Sequence, residues 1–102
     1  MNRKFEAKIC WLTEIQGGRK EIPSGDKYAP IIKIINPPFE SSDFWSVFVI
    51  NKKLLSKNET LSNMEYLSDM APDNLSVGVE FMLYEGKKAV ASGVVLGEIT
   101  SV

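Results

Sequence analysis

The sequence predicts an all-β fold, a closed six-stranded antiparallel barrel, on three observations. Phe5, Ala7, Ile9 and Trp11 alternate with Glu6, Lys8 and Cys10, the period-two pattern of a strand with one buried face. Val79, Phe81 and Leu83 alternate with Glu80, Met82 and Tyr84, then run into Glu85-Gly86-Lys87-Lys88, a tight hairpin connection. No segment of ten or more residues carries a helical period capped at both ends. Closing such a sheet on itself removes the unpaired edges that would otherwise invite aggregation.

Residues 4–13 form the first predicted strand. Residues 14–27 hold Gly17, Gly18, Pro23, Ser24, Gly25 and Asp26, residues that allow positive φ, fix φ or cap turns, and read as one long loop. Tyr28 to Asn36 is Ile-rich, with Pro30 near its start, where a missing backbone donor is tolerated, and reads as a second strand. Asn36-Pro37-Pro38 stops it, because neither proline can donate to a ladder.

Phe44 to Asn51 is aromatic or β-branched on both faces, which predicts a strand covered on two sides. Lys52 to Glu59 is polar and lysine-rich and reads as a connection, leading to a weaker strand over Thr60 to Ser68. Ala71-Pro72-Asp73-Asn74 predicts a turn. The strand with Phe81 and Leu83 follows, and Ala89 to Ile99, rich in small residues, completes six.

A chain of 102 residues has room for one core, so residues 1–102 are expected to form a single domain. With 44% apolar and 25% charged residues, it has enough side chain to bury and falls outside the disordered class. Twelve basic against thirteen acidic residues leave a net charge of -1, so a polyanion could be held only by a local patch. A single cysteine forms no internal disulfide, and charges at Arg3, Lys4, Glu6 and Lys8 occupy the place of a signal peptide's apolar run; a cytoplasmic protein is expected. Every apolar run is too short or too interrupted by charge for a membrane span.

Catalytic chemistry finds few candidates. There is no histidine, so Cys10 lacks the imidazole that activates a thiol and reads as a small surface or boundary residue. One cysteine cannot build a zinc site, and no Gly-x-x-x-x-Gly-Lys-Ser/Thr run is present to cradle a nucleotide. Glu14, Glu21 and Asp26, the nearest approach to a carboxylate cluster, read as a solvated loop rim. No enzyme, cofactor, metal or nucleotide is expected.

Phe5-Glu6-Ala7, Gly17-Gly18-Arg19, Pro23, Tyr28, Pro30, Phe81, Glu85-Gly86, Val90 and Gly93-Val94-Val95 occur in an order that spans nearly the whole chain. That order resembles the C-terminal β-barrel domain of the translation elongation factor Tu family. There the opening strand leads to a Gly-Gly-Arg loop, and the closing hairpin reads Arg-Glu-Gly-Gly-Arg before a Gly-Val-Val strand. The resemblance implies a stand-alone copy of that barrel with two inherited surfaces. One contributes to holding the T-stem of aminoacyl-tRNA; the other packs on the GTPase domain and would include the Gly17-Gly18 loop and the strand holding Met82.

The RNA-facing signals differ from the family's. Its Tyr-Arg-Pro-Gln stands here as Tyr28-Ala29-Pro30-Ile31, and the histidine that follows Gly-Gly-Arg is Lys20. A protein partner is therefore expected, met by Gly17, Gly18 and Arg19 together with Met82 and Tyr84, whose alternation puts them on the outer face. One alternative is a tRNA- or RNA-binding module using Arg19, Lys87 and Lys88. A second is an immunity- or antitoxin-like protein that mimics the elongation factor.

Overall fold

In the computed structural model, which describes residues 4–13, 15–18, 21–23, 28–35, 45–67 and 77–99, the alternating segments become strands and their apolar faces turn toward one interior. The strands are β1 (Lys4–Trp11), β2 (Ile31–Ile34), β3 (Trp45–Ser56), β4 (Glu59–Tyr66), β5 (Glu80–Glu85) and β6 (Lys88–Ile99). Every pairing is antiparallel, and the order β1-β4-β3-β2-β5-β6 returns to β1, so one sheet forms a barrel-like ring.

Period-two alternation decides what fills the ring. Phe5, Ala7, Ile9 and Trp11 of β1, Val47 and Val49 of β3, Met64 and Tyr66 of β4, and Phe81 and Leu83 of β5 are all buried. Full burial of a side chain such as Leu83 contributes roughly 1.5–3 kcal/mol. Gly93 in β6 is required by the same packing: a Cβ there would lie 2.4 Å from the Phe81 ring and 2.9 Å from the Lys8 carbonyl oxygen.

The β5–β6 hairpin is as tight as its sequence predicts. Gly86, with φ of 62°, takes the first central position, where only glycine is comfortable. An irregularity between Leu83 and Tyr84 leaves Val90 as an extra residue, which lets both Val90 and Ala91 point inward.

Three sequence expectations need correction. The polar stretch after Asn51 continues β3 to Ser56 and is not a connection; only Lys57 and Asn58 separate it from β4. Register shifts at Lys52 and Leu55 break the period there and hide the strand from pattern reading. The apolar outer face of β3 is not covered on two sides: Phe48 and Ile50 are exposed. The second strand is shorter than expected, Ile31–Ile34: it opens only after Pro30, which lacks the N–H that a ladder would use, and Asn36 lies outside the described residues. Its lead-in still accepts hydrogen bonds, from Val49 N to Tyr28 O at 2.9 Å and from Val47 N to Pro30 O at 3.0 Å.

The described part of the long loop after β1 carries a hydrogen-bonded turn over residues 15–17. Thr13 N donates to Gln16 Oε1 at 2.9 Å, and Gln16 N donates back to Thr13 Oγ1 at 3.3 Å, the reciprocal arrangement of a capping box. Gly17 closes the turn with φ of 86°. The predicted turns at Asn36-Pro37-Pro38 and Ala71-Pro72-Asp73-Asn74 lie outside the described residues.

Candidate functional site

The outer wall of the ring follows from the register. Met82 stands opposite Lys33 of β2 and Ser92 of β6; Ser92 stands opposite Cys10, and Cys10 opposite Glu59. One row of outward side chains thus reads Lys33, Met82, Ser92, Cys10, Glu59. In the next row Glu80 is paired with Val94, and Val94 with Lys8. Ile35 joins that row through its amide, which donates to the Glu80 carbonyl at 3.0 Å.

The middle of the first row is made of small side chains, so the wall dips there. The result is a shallow groove of about 250 Å³, with Ser92, Gly93 and Cys10 among its lining residues and Ile35, Val94 and the Lys8–Glu59 pair along its sides. Lys8 Nζ lies 3.2 Å from Glu59 Oε2, and the Ser56 hydroxyl donates to Glu59 Oε1 at 3.0 Å. These two donors, the Ser56 hydrogen bond first and then the bond and charge of Lys8, hold the Glu59 carboxyl below its ordinary pKa. Cys10 is exposed, as its place opposite the core set predicts.

Met82 and Tyr84 both lie on the outside of β5, half-buried, while Phe81 and Leu83 between and beside them are fully buried. Tyr84 is paired with Ile31, so Ile31, Tyr84 and Met82 follow one another on the outer wall, and Met82 stands across from Ser92 of the groove, although none of the three lines it. Sequence reasoning found the two β5 residues but missed the groove. A Ser-Gly pair in one strand and a lone Cys in another look like weak strand residues until the register sets them side by side.

Gly17 and Gly18 lie at the end of the ring where β1 stops, and both shape the backbone. Gly18 is buried, and its amide donates to the Thr13 carbonyl at 2.8 Å. A Cβ on it would sit 2.2 Å from the Leu12 carbonyl oxygen. Arg19 lies outside the described residues, as do Glu14 and Asp26 of the carboxylate rim. Lys87 and Lys88 are exposed at the β5–β6 turn.

The same end is fastened by a buried polar cluster that the sequence did not announce. Trp11 Nε1 donates to Thr60 Oγ1 at 2.9 Å, and the Thr60 and Ser62 hydroxyls, 2.8 Å apart, share their two protons between each other and Asn51 Oδ1. Asn51 Nδ2 in turn donates to the Pro23 carbonyl at 2.7 Å, tying the long loop to β3. Tyr28 stacks in a tilted contact on Trp11, and its hydroxyl donates to Glu85 at 2.6 Å. Tyr28 therefore packs against the ring.

Among the described residues, no three His, Cys, Asp or Glu side chains come together in a way that could hold a metal ion. No described helix is long and apolar enough to cross a membrane. No family model and no curated protein sequence matches the chain.

Proposed function

We propose that this chain is a non-enzymatic binding module, built like the C-terminal barrel domain of the elongation factor Tu family, that engages a protein partner through the outer wall of β5. The observation that carries this reading is the Met82 row: a flexible thioether and a neighbouring tyrosine stand on the outer wall of β5, Met82 directly across from Ser92, which lines the shallow groove. Methionine adapts its shape to a partner, and tyrosine offers rigid contact area. A groove of about 250 Å³ has room for one or two apolar side chains of a docking segment. The mixed Lys8, Glu59, Lys33 and Glu80 surroundings provide the polar rim that such interfaces use.

The test is a comparison of wild type with Met82→Asp as immobilised bait. Met82 is only half-buried, so the variant keeps the β-sheet circular dichroism of the wild type. A protein captured by wild type and lost with Met82→Asp supports the reading. Identical recovery by both rejects this wall as the docking surface. Filter binding of tRNA at two salt concentrations separates the alternative: a tight, steeply salt-dependent affinity would make the chain an RNA module instead.

A further inference from the structure

Five lysines of this chain, whose charge is balanced overall by acids, are gathered by the fold at one end. In an antiparallel ring the end of β1, the β3–β4 turn and the β5–β6 turn share one rim, and the hydrogen bonds Trp11 N to Asn58 O and Leu12 N to Val90 O join them. Lys52, Lys53 and Lys57 near the β3–β4 turn, and Lys87 and Lys88 at the β5–β6 turn, are all exposed there. The described acids of that rim include Glu59, held by Lys8 and Ser56, and Glu85, which accepts the Tyr28 hydroxyl. The connecting stretch 14–27 is balanced in charge: Glu14, Glu21 and Asp26 against Arg19, Lys20 and Lys27. The opposite rim carries Glu65, Glu80 and Glu98 with Lys4.

Apolar tips stand among these lysines. Leu54 is 61% exposed, Leu55 43%, and Ile15 99%. The bulge at Leu55 places two consecutive leucines outside the core, between Lys53 and Lys57. Single-stranded RNA is gripped by exposed aromatic rings, yet the aromatics of this rim are engaged inward: Trp11 is buried and Tyr28 is bonded to Glu85. Aliphatic tips ringed by lysine instead match the boundary of an anionic bilayer, where leucine enters the acyl edge and lysine meets the headgroups.

We propose that this rim is a peripheral docking surface for an anionic phospholipid bilayer, with Leu54 and Leu55 inserted and Lys52, Lys53 and Lys57 against the headgroups. It is separate from the β5 wall, so each can fail alone. The test is co-sedimentation of the full chain with vesicles of pure phosphatidylcholine and of phosphatidylcholine mixed with phosphatidylglycerol.

Binding to the mixed vesicles only, weakened by salt, is expected. Each of Lys52→Gln, Lys53→Gln and Lys57→Gln should lower the affinity roughly fivefold. Leu54→Ser with Leu55→Ser should abolish the binding while leaving circular dichroism unchanged. Leu54→Trp should show a blue-shifted emission on the mixed vesicles. Absence of binding, equal binding to neutral vesicles, or full binding by the double serine variant would overturn the proposal. So would an unshifted tryptophan emission, since the contact would then be electrostatic alone and equally open to RNA.

Discussion

Trp11 and Thr60, 49 residues apart in the chain, meet inside the ring through a 2.9 Å hydrogen bond from the indole nitrogen to the threonine hydroxyl. Thr60 also bonds Ser62 and Asn51, so one hydroxyl links β1, β3 and β4. Removing it leaves a buried indole N–H without its acceptor, at a cost of about 1–3 kcal/mol. Thr60→Val should therefore lower the thermal midpoint by several degrees, as read by circular dichroism melting. An unchanged midpoint would mean that the cluster adds nothing to stability.

The two glycines of the turn after β1 should respond differently. Gly17→Ala meets open space but strains a positive φ, costing about 1 kcal/mol. Gly18→Ala forces a Cβ into the Leu12 carbonyl and should cost more, roughly 2–4 kcal/mol. Urea denaturation of the two variants checks the order. Equal losses would show that the chain shifts to admit the extra carbon at position 18.

Glu59 predicts a pH signature. Its folded carboxyl is held below the ordinary value by Ser56 and Lys8, so it stabilises the fold above the unfolded pKa, and this contribution is lost as pH falls through the lowered folded value. Because the pair is exposed, the effect is small and screened by salt. Melting curves of Glu59→Gln and wild type should differ slightly at neutral pH in low salt and converge in acid. A gap that widens in acid would reverse the assigned cause.

The strands most legible in the sequence are those with strict alternation and a tight turn. Phe5 to Trp11 and the hairpin around Gly86 appear where period two and glycine put them. The distal half of β3 escaped because bulges at Lys52 and Leu55 break the period, and exposed lysines look the same in a strand as in a loop. The Thr13–Gln16 turn was readable as a Thr-x-x-Gln cap before Gly17, but a stretch rich in glycine and proline masked it. The groove, the polar cluster and the basic rim depend on strand register, which one sequence does not specify. Met82 and Tyr84 needed only their own alternation, so their outward placement was legible while what lies beside them was not.

The claim that matters most is that a protein docks on the β5 wall. A photo-crosslinking residue placed at position 82, and separately at Asn63 on the outer face of β4, tests it directly in cells. The account predicts a discrete protein adduct from position 82 that is absent from position 63. Adducts from both positions alike, or from position 63 alone, would contradict it.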